Sequence, residues 1–317
     1  MQFSVASVLL STLLAARTAY GGTYSLSDTI DAGSFLDNFA FQAIADPTHG
    51  RVNYVDLQTA QSEGIITLGN TIRLSADVSG TISASGPGRD SFRVQSNKQY
   101  TTHIAVFNVD HMPHGCGTWP AIWELGANWP NGGEVDIVEG VNDVPPNRMT
   151  LHTSAGCTMP ASRDESGTPL QNDCNVAVNS NAGCGVLEND PNSYGPDFNS
   201  NGGGWWAMER TSDEIKIWFW TRNDANTPSD IKNGASSVNT DNWGRPDAYF
   251  PNTDCNISSH FSPHNIIINL TFCGDWAGSS SAYSSSGCPD TCVDYVNNNP
   301  AGLINAFFEF EWIKIYE

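Results

Sequence analysis

The chain has 317 residues and a formal net charge of −20, because 34 Asp and Glu residues outnumber 14 Lys and Arg residues. A strongly acidic protein repels nucleic acid and anionic membrane surfaces, so we expect neither as a partner, whereas a neutral polymer would meet no such repulsion. Hydrophobic residues form 39% of the chain, which is enough for a folded core and excludes a wholly disordered protein.

The first predicted element is a targeting segment. Residues 4–16 form an apolar run of 13 residues, which is shorter than the roughly 20 residues that span a bilayer. Small residues follow this run, and we therefore expect residues 1–21 to be a secretory signal peptide, although no Lys or Arg precedes the run. The alternative is a buried N-terminal helix. Since no later apolar run approaches membrane length, we expect the mature protein to be secreted and free of the membrane.

Residues 22–317 are predicted to form one domain, because no Pro/Ser-rich linker, low-complexity tract or fixed-period repeat divides them. Helical periodicity is limited to residues 57–63 and a turn near Asp290. Many short strand-like runs separated by turn residues favour an all-β fold, either an antiparallel sandwich or a jelly roll. The clearest of these runs are 103–109, 214–221, 266–272 and 307–317.

The run at 307–317 shows the strongest alternation. Phe308, Phe310, Trp312 and Tyr316 are predicted to share one face, while the intervening glutamates point the other way. Period-2 alternation of this kind is typical of a strand that is buried on one side.

Eight cysteines in a secreted chain predict disulfide bonds, and the sequence does not choose among roughly a hundred possible pairings. A zinc site is the alternative for Cys288 and Cys292, although no CxxC pair accompanies them. Two glycosylation sequons begin at Asn256 and Asn269. We expect Asn269 to be unmodified because it lies in a strand-like apolar run.

The most informative run is EVDIVE, which begins at Glu134. On a strand, residues two apart face the same side, so Glu134 and Asp136 face one way and the apolar residues beside them face the core. A regular strand would turn Glu139 toward the core, where an unpaired carboxylate is costly. One extra residue, a β-bulge at Ile137 or Val138, would return Glu139 to the acidic face.

A row of three carboxylates suits the cleavage of glycosidic bonds. Along the bulged strand Glu134 and Glu139 would lie roughly 13 Å apart. Side chains leaning inward would bring their carboxyls to about 5–6 Å, near the separation in a retaining glycosidase. Like charges raise one another's pKa, so the row would hold a proton into mildly acidic or neutral pH. The alternatives are a solvated acidic strand face and a calcium site.

These residues and their surroundings resemble glycoside hydrolase family 16. The run from Glu134 to Glu139 is similar to the family's ExDxxE signature, and the similarity covers essentially the whole mature chain. It is greatest to secreted fungal endo-1,3(4)-β-glucanases. The other segments that carry it are residues 46–55, 119–123, 128–130, 151–154 and 273–278.

The resemblance implies a β-jelly-roll sandwich of two antiparallel sheets with a substrate cleft on the concave sheet. It implies that Glu134 is the nucleophile, that Glu139 is the acid/base and that Asp136 assists. The implied reaction is retaining endo-hydrolysis of β-1,3-glucan, of laminarin type or with mixed β-1,3/1,4 linkages, through a glycosyl-enzyme intermediate on Glu134. We expect a monomer that needs no cofactor and no metal ion.

Aromatic side chains suit the same substrate, because indole faces stack on the apolar C–H faces of sugar rings. Trp129 and Trp276 lie in segments that match the family, and we expect both to line the cleft. Trp123 is compatible with either the core or the cleft. His152 is a candidate to bond the sugar or the nucleophile, and Arg93 is a candidate to bond sugar hydroxyls.

Two other functions stay open. A cell-wall glucan transglycosylase would share the retaining intermediate and differ in its acceptor, which is a sugar instead of water. A non-catalytic β-glucan-binding protein would be expected to have lost the carboxylates that this chain has.

Overall fold

The computed structural model describes residues 22–317, so the signal peptide predicted at residues 1–21 lies outside the described residues. Within that range the chain forms two large antiparallel sheets and a short parallel pair, with few helices. The prediction of an all-β jelly-roll sandwich is confirmed. None of the helices in this range is long and apolar enough to cross a membrane.

The strands, in chain order, are β1 (Thr23–Ile30), β2 (Phe39–Phe41), β3 (Val52–Tyr54), β4 (Ile66–Leu68), β5 (Ile72–Ser75), β6 (Arg89–Ser91), β7 (Arg93–Ser96), β8 (His103–His111), β9 (Thr118–Gly126), β10 (Glu134–Glu139), β11 (Arg148–His152), β12 (Thr168–Pro169), β13 (Cys184–Leu187), β14 (Gly204–Arg210), β15 (Glu214–Thr221), β16 (Ser237–Asn239), β17 (Ala248–Pro251), β18 (His264–Phe272) and β19 (Phe307–Tyr316). The helices are α1 (Phe35–Asn38), α2 (Leu57–Ser62), α3 (Gly195–Ser200), α4 (Ser229–Lys232), α5 (Ile257–His260), α6 (Gly274–Ala277), α7 (Ser280–Ser285) and α8 (Cys292–Asn298).

The two large sheets have different strand orders. The eight-stranded sheet runs β12-β13-β11-β10-β9-β18-β7-β2, which places the strand with the acidic row near its centre. The nine-stranded sheet runs β16-β1-β19-β8-β14-β15-β17, and β5 and β4 extend it beside β19. Neighbours in both sheets are antiparallel, and most are far apart in the chain, as Greek-key connections require.

Local sequence patterns correctly predict three of the long strands and one helix. The runs predicted at 103–109, 214–221 and 266–272 are the strands β8, β15 and β18. The helical signal at 57–63 is α2, where the Asp56 side chain accepts a hydrogen bond from the Thr59 amide and caps the helix.

The prediction that Phe308, Phe310, Trp312 and Tyr316 share one face is wrong. The pairing of β19 with β8 shifts register between Phe310 and Trp312. This irregularity keeps Phe308 and Phe310 in the main core but turns Trp312 and Tyr316 to the opposite face, so that Ile313 takes their place inside. A single bulge reverses the alternation of every residue that follows it.

The main core fills the space between the two sheets. Val135 and Ile137 of the eight-stranded sheet and Phe107 and Ile217 of the nine-stranded sheet are fully buried there. A second apolar cluster covers the other face of the nine-stranded sheet and includes Trp205, Trp218, Trp220, Trp243 and Tyr316. Five aromatic side chains are therefore used in packing far from the acidic row.

All eight cysteines form disulfides: Cys116–Cys288, Cys157–Cys255, Cys174–Cys184 and Cys273–Cys292. The prediction of disulfide bonds is confirmed. Because their sulfurs bond Cys116 and Cys273, neither Cys288 nor Cys292 is available for the zinc site considered above.

The disulfides differ greatly in the length of chain that they close. Cys116 and Cys288 are 172 residues apart, whereas Cys174 and Cys184 are 10 apart. Since a longer closed loop removes more entropy from the unfolded chain, replacing both cysteines of the first pair by Ala should lower the free energy of unfolding by about 5 kcal/mol, against about 3 kcal/mol for the second pair. Urea unfolding of the two double variants measures both values. A larger loss from the short loop would contradict the entropic explanation.

Candidate active site

The acidic row lies on β10, and its spacing depends on a bulge. Opposite β9, Asp136 pairs with Trp123 but Val138 pairs with Ile122, so Ile137 is the extra residue. Ile137 and Val138 are both buried in the core. The bulge predicted at Ile137 or Val138 is confirmed, and it returns Glu139 to the face that carries Glu134 and Asp136.

A buried asparagine holds the bulge in shape. A bulge deprives the strand backbone of regular ladder partners. The Asn147 side chain replaces two of them: its Oδ1 accepts a hydrogen bond from the Glu139 amide at 2.8 Å, and its Nδ2 donates to the Ile137 carbonyl at 3.0 Å. Asn147 is fully buried. The backbone position of Glu139 is therefore fixed by a side chain that follows β10.

The row opens into a cleft of about 640 Å³ above the eight-stranded sheet. Its walls combine indole rings with carboxylates, amides and hydroxyls, as a site for a neutral sugar chain requires. All eight residues predicted for the site line this cleft. They are Arg93, Trp123, Trp129, Glu134, Asp136, Glu139, His152 and Trp276.

Glu134 is bonded to a tryptophan at the rim of the cleft. The Trp129 Nε1–H donates to Glu134 Oε2 at 2.5 Å, while 45% of the Trp129 residue is exposed to solvent. Trp129 thus combines an indole face open to a ligand with an N–H that fixes one carboxylate oxygen. The predicted position of Trp129 in the cleft agrees with this geometry.

Asp136 is the most deeply buried member of the row, with 2% of the residue exposed. Burial, followed by the charges of Glu134 and Glu139, raises the pKa of Asp136 well above its usual range. A protonated Asp136 has a hydrogen to donate toward Glu134, since oxygen atoms of the two acids lie within 4.8 Å of each other. On its other side Asp136 Oδ2 lies 3.4 Å from His152 Nε2.

His152 contacts the middle acid of the row. Its Cα pairs with that of Glu134 across β10 and β11, but its side chain meets Asp136. Asn181 Oδ1 lies 3.0 Å from the other ring nitrogen, Nδ1. Because the amide oxygen accepts, Nδ1 carries the hydrogen of this bond, which fixes the orientation of the ring beside Asp136.

Glu139 has a different environment from Glu134. The Trp119 Nε1–H donates to Glu139 Oε1 at 2.9 Å. Burial raises the pKa of Glu139, and the negative charge of Glu134 adds to the rise. The Trp119 hydrogen bond and the nearby His152 and Arg148 oppose it. A raised pKa suits a carboxylic acid that must donate a proton near neutral pH.

Trp123 belongs to the cleft. Its Nε1–H donates to Asn269 Oδ1 at 2.7 Å, and the Arg93 guanidinium lies 4.8 Å from its ring centroid. Asn269 also donates to the Tyr54 hydroxyl at 3.0 Å. With both ends of its amide bonded inside the protein, Asn269 is an unsuitable glycan acceptor, in agreement with the prediction that it is unmodified.

Trp276 lies on α6 at the other end of the cleft. Its ring meets that of Trp119 edge to face with centroids 5.5 Å apart, and the Arg148 guanidinium lies 4.7 Å from its ring centroid. A cation stacked on one side holds the indole plane in a fixed orientation. The predicted cleft position of Trp276 agrees with this geometry.

Sequence reasoning missed three residues of the site: Trp119, Asn147 and Arg148. For Trp119 a signal exists, because Trp119 and Trp123 are four residues apart and share a strand face. Asn147 and Arg148 have no such signal. Their contacts depend on how the chain returns from β10 to β11, which local patterns do not specify.

Among residues 22–317, one group of side chains is close enough to hold a cation, and it is part of the row itself. Ligand atoms of Glu134, Asp136 and His152 lie within 4.8 Å of one another. A calcium ion takes six to eight oxygen ligands, and this group offers two carboxylates and an imidazole. Because the same carboxylates are hydrogen-bonded to indole N–H groups or buried beside each other, the geometry favours acid–base chemistry over calcium binding.

Comparison with known proteins gives a consistent picture. A family model described as "XgeA-like, catalytic GH16 domain" matches residues 39–316. A probable glycosidase of Schizosaccharomyces pombe is 44% identical over 299 residues, which are 93% of this chain and 70% of that protein. A probable endo-1,3(4)-beta-glucanase of Aspergillus fumigatus is 38% identical over 328 residues, which are 99% of this chain and 49% of that protein. The chain thus spans about half the length of the Aspergillus relative.

Two solved structures share both fold and sequence with the chain. Laminarinase 16A from Phanerochaete chrysosporium, described as holding β-glucans in donor and acceptor sites, is 57% identical with a TM-score of 0.93. The alignment covers 93% of this chain and 100% of that one. An elongating family 16 β-1,3-glucosyltransferase is 37% identical with a TM-score of 0.86, over 93% of this chain and 100% of that one.

The Trp119 hydrogen bond makes a prediction about pH. The bond stabilises the ionised form of Glu139, so Trp119→Phe should raise the pKa of Glu139 further. Glu139 must be protonated to act as the acid, so the variant stays active to higher pH. The alkaline limb of the pH profile of kcat/KM on laminarin should therefore move up by about one pH unit. This is the shift expected from the loss of one hydrogen bond to a charged group. Trp123→Phe is the matched control, because its N–H bonds an amide. A downward shift, or an equal shift in the control, would contradict the assignment.

Proposed function

The chain belongs to glycoside hydrolase family 16, and on that premise we propose that it is a secreted endo-1,3(4)-β-glucanase that cleaves β-1,3-glucan with retention of configuration. The observation that carries the proposal is the bulged row of β10, in which Glu134 and Glu139 face one cleft from unlike environments. Laminarin-type chains are the preferred substrate in this proposal, and mixed β-1,3/1,4-glucan is the second.

In the first half of the reaction a glucan chain lies along the cleft with a glycosidic bond above the row. Protonated Glu139 gives its proton to the leaving oxygen while the Glu134 carboxylate attacks the anomeric carbon. The C–O bond to the leaving sugar breaks, and a covalent ester between the glucosyl unit and Glu134 forms. The raised pKa of Glu139 and the indole N–H bond on Glu134 support these unlike roles.

In the second half Glu139, now ionised, takes a proton from a water molecule that attacks the anomeric carbon. The ester breaks, Glu134 leaves as a carboxylate, and Glu139 is again protonated. Two inversions restore the β configuration. The acid and base steps use the same residue, so its pKa must lie near the working pH. Burial raises the pKa of Glu139 in this direction, and the Trp119 hydrogen bond limits the rise.

Asp136 assists Glu134 in this scheme. Its raised pKa keeps it protonated, so that it donates a hydrogen bond to the nucleophile and holds its orientation. His152 supports Asp136 from the other side. Arg93, Trp123, Trp129 and Trp276 bind the glucan, the tryptophans by stacking and the arginine through sugar hydroxyls.

The remaining parts of the proposal concern the whole protein. Residues 1–21 direct secretion and are removed, and residues 22–317 form the catalytic domain. Four disulfides support an oxidising compartment. In this proposal the protein acts as a monomer without a cofactor, since the double displacement uses only the carboxyl groups of β10 and water.

Removing the nucleophile tests the proposal. Purified protein should release short glucose oligomers from laminarin, and Glu134→Ala should lower kcat by at least about 10⁴-fold, as for other nucleophiles that act as a unit with an acid/base. Chromatography of the products measures both. Glu63→Ala, an exposed glutamate outside the cleft, is the control and should retain activity. Full activity of Glu134→Ala would reject the assigned nucleophile.

The assisting role of Asp136 predicts a separate effect. Asp136→Ala removes both the hydrogen-bond donor to Glu134 and the titrating group, so kcat should fall between about 10-fold and 100-fold, the worth of a hydrogen bond to a charged group. The pH profile of kcat/KM should also change, because the variant lacks the titrating carboxyl of Asp136. If the variant kept both the rate and the pH profile of the natural protein, Asp136 would have no part in orienting Glu134.

A glucan transglycosylase is the second candidate, because a β-1,3-glucosyltransferase shares 37% identity and the fold. Such an enzyme would form the same ester on Glu134 and pass the glucosyl unit to a sugar hydroxyl instead of water. Incubation with laminari-oligosaccharides of one length distinguishes the two. Shorter products alone support the hydrolase, and a dominant fraction longer than the starting material supports the transglycosylase.

A further inference from the structure

A fully buried polar cluster lies between the two sheets and takes no part in the chemistry described above. Glu124 on β9 and His264 on β18 come from the eight-stranded sheet. His103 on β8 and Arg210 on β14 come from the nine-stranded sheet. The exposed fraction of these residues is 2% or less. Burying ionisable side chains of this kind is costly, so their arrangement calls for an explanation.

Glu124 is the centre of this cluster. Its Oε1 lies 2.7 Å from His103 Nε2, while its Oε2 lies 3.7 Å from His264 Nδ1 and 4.0 Å from Arg210 Nη1. Burial raises the pKa of Glu124, but the two histidines outweigh it and lower the pKa to about 2. Glu124 is therefore an anion, and His264 lies between it and the next contact.

That next contact is a backbone carbonyl. His264 Nε2 lies 2.8 Å from the Gly132 carbonyl oxygen. A carbonyl only accepts, so Nε2 carries the hydrogen and donates. The Ser262 amide donates to the same oxygen at 2.9 Å. This concentration of donors fixes Gly132, where a Cβ atom would lie 2.1 Å from the Ala127 carbonyl oxygen.

Gly132 belongs to the loop that carries Trp129. The loop, residues 127–133, leaves β9 and enters β10, and the Gly126 amide closes it by donating to the Gly133 carbonyl at 3.0 Å. Trp129, in the middle of the loop, donates its Nε1–H to Glu134. A connected path therefore runs from His264 through Gly132 and the loop to the nucleophile, and its two hydrogen bonds are 2.8 Å and 2.5 Å long.

We propose that His264, through its bond to the Gly132 carbonyl, is a positioning residue that fixes the loop 127–133 and thereby aims the Trp129 N–H at Glu134. The inference rests on the proposed function, since Glu134 is taken as the nucleophile. It explains why a buried histidine donates to the carbonyl of a loop beside the cleft. A purely structural role would stabilise the two sheets without any effect on the nucleophile.

A double-mutant cycle with Trp129 separates the two roles. His264→Ala removes the donor to Gly132, and Trp129→Phe removes the N–H that it is inferred to aim. His264→Gln is the rescue variant, because its amide nitrogen replaces Nε2, whereas Asn is too short to reach. The matched control is His103→Gln, which alters the other imidazole beside Glu124, whose Nε2 bonds Glu124 Oε1 at 2.7 Å and not the loop.

On laminarin, His264→Ala should lower kcat about tenfold, since misplaced catalytic contacts have effects of this size or larger. The same substitution in Trp129→Phe should lower kcat by less than about twofold. His264→Gln should recover most of the rate, and His103→Gln should lower the melting temperature but retain kcat. Equal losses in both Trp129 backgrounds, or an unchanged kcat in folded His264→Ala, would overturn the proposal. Should His264→Ala fail to fold, a Gln variant no more active than the Asn variant would overturn it as well.

An NMR measurement tests the inference without any catalysis. The indole ¹⁵N–¹H signal of Trp129, identified by its loss in Trp129→Phe, reports the hydrogen bond to Glu134. It should move in His264→Ala and stay in place in His103→Gln. A Trp129 signal unmoved by His264→Ala overturns the positioning role, whereas wild-type protein that releases no product from laminarin overturns the proposed function alone.

Discussion

The site depends on one irregularity in a strand, the extra residue Ile137 in β10. Without it, Glu139 would point between the sheets, into a space filled by side chains such as Val135. With it, three carboxylates share one face while every apolar residue of the strand stays in the core. Asn147 stabilises this geometry, because its side chain bonds the Glu139 amide and the Ile137 carbonyl at the bulge.

Three adjacent carboxylates would repel one another if all were ionised, and the different surroundings of each acid limit this repulsion. Trp129 donates to Glu134, Trp119 donates to Glu139, and Asp136 is buried between them with a raised pKa. Two carboxylic acids of the same type thereby acquire different properties, which is what a double displacement needs. In the proposed mechanism Trp129 serves twice, since its exposed indole face is open to a sugar ring while its N–H bonds Glu134.

Much of this arrangement follows from the sequence alone. Alternation predicts the clearest strands, and the cost of a buried carboxylate predicts a bulge at Ile137 or Val138 from six residues. Contacts between distant segments do not follow. Examples are the disulfide pairing, the bonds of Asn147 and the buried cluster around Glu124, which all depend on which strands become neighbours. β9 pairs with both β10 and β18, and no local sequence pattern specifies the register of either pairing. The error in β19 has the same cause, because a bulge near Trp312 leaves no signal among alternating aromatic residues.

The central claim is that Glu134 and Glu139 act from one face by double displacement, and the configuration of the first product tests it most directly. ¹H NMR of a laminari-oligosaccharide, recorded within the first minutes of cleavage, distinguishes the two anomers before they interconvert. The account predicts that the β anomer appears first and the α anomer grows only by later mutarotation. An α anomer formed first would mean a single displacement by water, with no ester on Glu134, and would contradict the account.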